Sequence, residues 1–164
     1  MRIEFLDKAK ADSVLPHLFA ILHSNMSRIV SAGNTYEQDL EFWLSCVKPA
    51  LEKAPRQILL FFSDEELAGY FQYYVNNGVF MMEEIQFLDP YKGSGIFSEL
   101  YRYLVKTLPA DTEFVEAYAN KSNEKSIAVL GHLGLEIIGE NKNGNSYHFR
   151  GRYENLVHRY QTQD

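Results

Sequence analysis

One cysteine, Cys46, stands among 164 residues. That excludes an internal disulfide and any cysteine-built zinc site, and it suits a reducing compartment. No apolar run approaches the roughly 18 residues that a membrane span needs. The opening residues, Met-Arg-Ile-Glu-Phe-Leu-Asp, carry acids where a signal peptide would carry its apolar stretch, so the cytoplasm is the expected location. Basic residues are in the minority, 16 Lys and Arg against 22 Asp and Glu, for a net charge of −6. A phosphate backbone demands clustered positive charge, so nucleic acid is not an expected partner. The five histidines are scattered without i,i+4 pairing, and no metal site is expected.

What is present is ordinary globular composition, 46% hydrophobic and 23% charged, in a chain long enough to bury a real core. One domain over 1–164 is expected, with 156–164 as a frayed tail. Arg2–Leu6 alternates as a short strand. Asp12 and Ser13 can cap a first helix with Leu15, Leu18, Phe19, Leu22, Met26, Ile29 and Val30 on one face. Thr35-Tyr-Glu-Gln38 matches a capping box and starts a second helix, whose buried face is Leu40, Trp43, Leu44, Val47 and Leu51. Pro49 should kink or end it. Gln57–Ser63, Leu67–Val75 and Val79–Leu88 read as strands, the last two joined by the hairpin turn Asn76-Asn-Gly78. Helix Ile96–Leu108 follows, then strand Glu113–Ala119. Asn123 caps a fourth helix that Gly134 terminates, and a last hairpin spans Leu135–Glu140 and Ser146–Tyr153. The order β-α-α-β-β-β-α-β-α-β-β predicts an α/β fold, with about seven strands in a mixed, mostly antiparallel sheet flanked by four helices.

Between the third of those strands and the helix at Ile96 lies Lys92-Gly93-Ser94-Gly95-Ile96-Phe97. Two glycines let backbone amides converge on one spot, and the helix adds the positive end of its dipole there. Such a loop is built for an anion, most often a phosphate. A structural turn is the plain alternative.

The element order, this loop and the stretch Asn123-Glu-Lys-Ser-Ile-Ala-Val-Leu-Gly-His-Leu-Gly-Leu135 together resemble the GNAT superfamily of acyl-CoA N-acyltransferases, over nearly the whole chain. In that family the loop reads (Arg/Gln)-x-x-Gly-x-(Gly/Ala) and its amides hold the coenzyme A pyrophosphate. Here Lys92 takes the first position and Phe97 the last. The second stretch is similar to the family's Asn-x-x-Ala-x-x-x-Tyr-x-x-x-Gly-Phe. The resemblance implies that Asn123 contacts the pantetheine arm and that Ser126 lines the cofactor groove. It also implies that the arm pairs like a strand with backbone groups of Ile85, Phe87 and Leu88. Leu130 falls where many members carry a tyrosine that protonates the departing thiolate. Leucine cannot, so the acid is another group or solvent.

The implied chemistry is direct attack of an amine on the thioester of acetyl-CoA, which requires a base to take the nitrogen's proton. Glu84 is the first candidate, then Glu116, then Glu83; each could instead simply face solvent. Tyr118, Tyr147 and His148 are candidates for the acid, against the plain reading of a buried, hydrogen-bonded tyrosine. The acceptor pocket implied by the resemblance involves the loop Ser31–Tyr36 and the last hairpin. Nearby Glu37 and Asp39 serve equally as favourable charges in a helix's first turn. His132 is expected to face solvent, Trp43 and Met26 to be core, and mid-helix Cys46 not to be a nucleophile. The expected activity is N-acetyl transfer to a small-molecule or peptide amine, compatible with a homodimer. The alternatives are a catalytically inactive acyl-CoA-binding module and a nucleotide-binding module using the same loop.

Overall fold

The computed structural model describes residues 1–26, 33–53, 55–93 and 95–161. In chain order these form β1 (Arg2–Phe5), α1 (Ala11–Met26), α2 (Tyr36–Lys53), β2 (Arg56–Ser63), β3 (Glu66–Asn76), β4 (Val79–Phe87), α3 (Ile96–Thr107), β5 (Phe114–Asn120), α4 (Glu124–His132), β6 (Glu136–Glu140), β7 (Ser146–Arg152) and α5 (Tyr153–Gln161). Short 3-10 turns precede α1 at Lys8–Lys10 and follow β4 at Asp89–Tyr91. The sheet order is β1-β2-β3-β4-β5-β7-β6. Pairs β1–β2, β5–β7 and β6–β7 are antiparallel. β4–β5 is parallel, from Val79↔Phe114 to Met82↔Ala117, because α3 carries the chain back to its starting end before β5 begins. The fold is therefore the expected α/β one with a mixed, mostly antiparallel sheet of seven strands.

Local chemistry accounts for many boundaries. The capping box at α2 forms reciprocally: Thr35 Oγ1 accepts from the Gln38 amide at 3.2 Å, and Gln38 Oε1 accepts from the Thr35 amide at 2.9 Å. Asn77 and Gly78 both take positive φ, 49° and 74°, in the tight turn between β3 and β4. α4 ends with Gly134 at φ 85°, its amide on Gly131 O and that of Leu135 on Leu130 O. That double closure is the Schellman arrangement, with Leu135 buried over the end.

Three expectations need correction and a fourth is narrowed. α1 begins ahead of Asp12 and Ser13, and the capping carboxylate is Asp7, which accepts from the Ala9 amide in the preceding 3-10 turn. Met26 is exposed rather than core; Ile29 and Val30 lie outside the described residues. α2 runs through Pro49 to Lys53. An interior proline costs about 3 kcal/mol. Val47 and Leu51, each 5% exposed on either side of it, contribute about 1.5–3 kcal/mol apiece on burial and can outweigh that cost. Finally, the expected tail is a fifth helix as far as Gln161. Tyr153 and Leu156 are buried, and the Tyr160 ring stacks 5.2 Å from that of Tyr101 on α3.

The chain divides into two compact units, Met1–Gln72 with Glu84–Lys92, and Tyr73–Glu83 with Gly93–Asp164. In the first, α1 and α2 bury Leu15, Leu18, Ile21, Val47 and Leu51 in a core with Ile58, Leu60 and Tyr70. Gly69 is obligatory there: a Cβ would lie 2.3 Å from the Phe87 ring and 2.4 Å from Gln86 O. In the second, the buried side chains include Phe80, Ile96, Leu100, Leu104, Val115, Phe149 and Leu156.

Candidate functional site

In the first unit, Glu84 of β4 accepts a hydrogen bond from the hydroxyl of Tyr70 on β3. Tyr70 has no exposed surface, and burial raises its phenol far above the ordinary value, with the charge of Glu84 and the bond to it adding to the shift. Tyr70 thus remains the proton-bearing partner. A cleft of about 220 Å³ opens beside Glu84, between Trp43, Cys46, Val47 and Ala50 of α2 and the strand residues Arg56 and Gln72. A larger, shallower groove of about 510 Å³ runs along α2 past Glu37, Leu40, Glu41 and Lys48 and holds none of the candidate acid–base groups.

Beyond Glu84 the end of β4 is tied down by Asn25 of α1, whose amide donates to Gln86 Oε1 at 2.8 Å and to the Phe87 carbonyl at 3.1 Å. The Asn25 oxygen accepts from Lys92 Nζ at 2.8 Å, and Asp89 accepts from the same ammonium at 2.6 Å. The loop lysine therefore already has anionic and polar partners within its own unit. Leu88 donates its amide to Ala68 O at 2.9 Å, and its carbonyl accepts from the Tyr91 amide at 3.0 Å. The Leu88 amide is thus spent on β3, while its carbonyl keeps a second lone pair for an extended ligand. Since the Leu88 amide points to β3, strand alternation directs the main-chain groups of Phe87 and Ile85 away from β3.

In the second unit, Gly93 and Gly95 both adopt left-handed backbone, φ 79° and 81°, and both are exposed with no atom within 4 Å of where a Cβ would sit. Gly95 caps α3, its carbonyl accepting from the Ser98 and Glu99 amides. Ile96 is buried as an anchor at 1% exposure. Ser94 lies outside the described residues, as do Ser31 and Ala32 of the expected acceptor loop. Asn123 caps α4, its side chain accepting from the Ser126 amide at 3.1 Å. Leu130, where the resemblance sought a phenol, is buried.

The same unit brings together two candidates that lie two residues apart on β5 and a third from β7. Glu116 and Tyr118 are opposite Arg150 and His148 in the antiparallel register. Glu116 Oε1 is 3.2 Å from His148 Nε2 and 3.7 Å from Arg150 Nε. Neither nitrogen completes a hydrogen bond of good geometry, although both are sealed from solvent. These contacts are ion-pair proximities rather than aligned bonds. The rings of Tyr118 and His148 stack at 4.4 Å, 12° from parallel, while the Arg150 guanidinium lies 3.8 Å over Phe114. Arg150 and Tyr70 are the participants that sequence reasoning missed. The alternating pattern of β7 could have suggested Arg150 once β5 was known to be its neighbour. Tyr147 faces Phe149 and Lys121. His132 is exposed, as expected. Among the described residues no group of three His, Cys, Asp or Glu could hold a metal, and no helix is long and apolar enough to cross a membrane.

A mixed seven-stranded sheet, with one parallel pair joined through a glycine turn and a helix, defines the acyl-CoA N-acyltransferase class of fold. Solved structures share it. The PaiA N-acetyltransferase of Thermoplasma acidophilum in complex with coenzyme A matches with TM-score 0.67 and 14% identity, over 93% of this chain and 100% of that one. The aminoglycoside acetyltransferase AAC(6')-Ib in complex with coenzyme A matches with TM-score 0.68 and 18% identity, over 98% of each chain. A spermidine N-acetyltransferase, SpeG of Vibrio cholerae, matches with TM-score 0.63 and 12% identity, over 97% and 99%. At these identities the likeness is one of fold. No curated protein matches. The sequence profile of the acetyltransferase (GNAT) family matches residues 18–135. The chain belongs to the acetyltransferase (GNAT) family, whose enzymes take acetyl-CoA as co-substrate.

Proposed function

We propose that this protein transfers the acetyl group of acetyl-CoA directly to a primary amine of a small molecule or peptide, as a single cytoplasmic domain over residues 1–164. The supporting observation is the pair of left-handed, exposed glycines, Gly93 and Gly95, at the N-terminus of α3. Space left by two absent Cβ atoms and the positive end of the α3 dipole favour a pyrophosphate. In this reading Lys92, Gly93, Ser94, Gly95, Ile96 and Phe97 hold the phosphates, Ile85, the Phe87 amide and the Leu88 carbonyl offer main-chain groups to the pantetheine arm, and Asn123 and Ser126 line its groove. Asn123 does so while its oxygen caps α4, leaving its amide nitrogen for the ligand.

The amine attacks the thioester carbon, the nitrogen's proton passes to Glu84, and the C–S bond breaks to release coenzyme A. Glu84 is favoured over Glu116 because it lines a cleft with apolar and polar walls, where an amine could be held. Gly95→Glu adds bulk and negative charge where the backbone is left-handed, and should abolish acetyl-CoA binding by calorimetry in a folded protein. Unchanged affinity would remove the loop from the site.

The buried Leu130 favours a second reading, an inactive acyl-CoA-binding module, because the family's usual acid is missing at that position. Thiol release across a panel of polyamines, aminoglycosides, amino acids and peptide N-termini separates the two. Saturable acetyl-CoA binding with no release for any amine would support the binder.

A further inference from the structure

We infer that His148 is the proton donor to the departing coenzyme A thiolate and that Glu116 is the residue that positions it; this rests on the direct-transfer reading above. The position that would carry an acidic hydroxyl on α4 holds the buried Leu130, so a second proton-bearing group is needed if the sulfur is to leave as a thiol. Within the second unit, His148 is the side chain equipped for it. Its Nε2 is sealed from solvent and lies 3.2 Å from Glu116 Oε1. Its ring is held flat against Tyr118 at 4.4 Å. With Nε2 sealed from solvent against the Glu116 carboxylate and the plane held by stacking, the other nitrogen, Nδ1, is the one left to exchange a proton. A base-like ring oriented by a carboxylate is the recurring layout of acid–base catalysis.

The location agrees. Tyr118 and Asn120 occupy the carboxyl end of β5, beyond Ala117, the last residue paired with β4. Ligands of open α/β sheets bind at the carboxyl ends of parallel strands. Asn123, proposed to meet the pantetheine arm, follows three residues after β5 ends. The charged and titratable groups facing His148 are Glu116 and Tyr118 from β5 and Arg150 from its own strand, which shares the Glu116 oxygen at 3.7 Å. β6 sets Gly139 opposite His148, with neighbouring Glu140 paired to Lys121 at 2.6 Å.

The step balances. The N–C bond forms as the amine gives its proton to the base, the C–S bond breaks, and sulfur takes the Nδ1 proton of the His148 imidazolium. Base and imidazole then exchange protons with water, leaving an amide and free coenzyme A thiol.

The test is steady-state thiol release, measured from about pH 5.5 to 9.5, with acetyl-CoA affinity measured alongside by calorimetry. His148→Gln should lower kcat about 100-fold, within the range acid–base groups contribute, with acetyl-CoA affinity within about twofold. It should also remove the loss of rate on raising pH that an acid shows as it deprotonates. Glu116→Gln should lower kcat about tenfold and Glu116→Asp should recover part of it, as positioning requires. Tyr118→Phe keeps the stacked ring and removes only the phenol, so it should lower kcat less than His148→Gln does. A large loss in Tyr118→Phe with little in His148→Gln would overturn the proposal and give the acid role to the phenol. A wild-type profile in His148→Gln would overturn it while leaving N-acetyl transfer intact. No turnover of any amine by the wild type would overturn both.

Discussion

Two strand carboxylates, one in each unit, are held by chemically different partners. Glu84 accepts from a buried phenol, that of Tyr70, whose burial keeps it protonated. Glu116 lies instead against an imidazole and a guanidinium, with the Tyr118 ring stacked on the imidazole. The phenol brings a directed O–H and no charge of its own. The cluster around Glu116 brings the fixed charge of Arg150, with poor hydrogen-bond alignment, and an imidazole held by stacking. The same residue type is thereby set in two chemical environments, matching the two tasks proposed for it: receiving a proton beside a cleft, and orienting the group that gives one.

The largest effect expected from this contrast is on turnover. Glu84→Gln should reduce kcat by at least about 100-fold with acetyl-CoA affinity unchanged, measured by thiol release and calorimetry. Full activity in Glu84→Gln alongside a dead Glu116→Gln would reverse the two assignments. Next comes stability: Tyr70→Phe removes a buried hydroxyl bonded to a charged group and should cost about 1.5–3 kcal/mol in denaturant titration at pH 7.

Its pH dependence has a definite sign. Tyr70 titrates higher folded than unfolded, so its contribution is whole below about pH 10 and is lost as pH rises above that. Tyr73, pushed up to about 12 by burial and by neighbouring Tyr103, and fully buried Tyr101 act in the same direction. The alkaline fall in stability should therefore be shallower in Tyr70→Phe than in wild type; equal slopes would mean that Tyr70 ionises freely in the fold. The smallest effect belongs to Arg150→Met, which keeps an apolar stem over Phe114 and removes the charge. With 39% of the Arg150 side chain exposed, it should change stability by less than about 1 kcal/mol, because solvent screens the pair. A larger loss would show that the charge cluster, and not only the hydroxyl bond at Glu84, carries folding energy.

Legibility followed range. The capping box at Thr35–Gln38, the turn at Asn77-Gly78, the cap at Asn123 and the stop at Gly134 each depend on residues within a few positions, and each formed as the sequence indicates. Pro49 does not end α2 because the opposing term, burial of Val47 and Leu51, comes from distant parts of the chain. α5 was readable after all: Tyr153, Leu156, Val157 and Tyr160 fall at i, i+3, i+4 and i+7, a spacing obscured by the polar residues between them. Leu88 shows a different limit. Which backbone groups stay available at a strand end depends on a neighbouring strand, and Ala68 had already taken that amide.

By itself the sequence determined the order of elements, the glycine loop with its left-handed turns, and the family that loop and the Asn123–Leu135 stretch belong to. Those features are local, set by φ preferences, caps and apolar periods. Only the tertiary structure decided what each acid touches. Tyr70 lies 14 residues from Glu84, and His148 lies 32 residues from Glu116. Strand register alone brings such pairs within a few ångströms, and a shift of one residue would turn every one of these side chains to the opposite face.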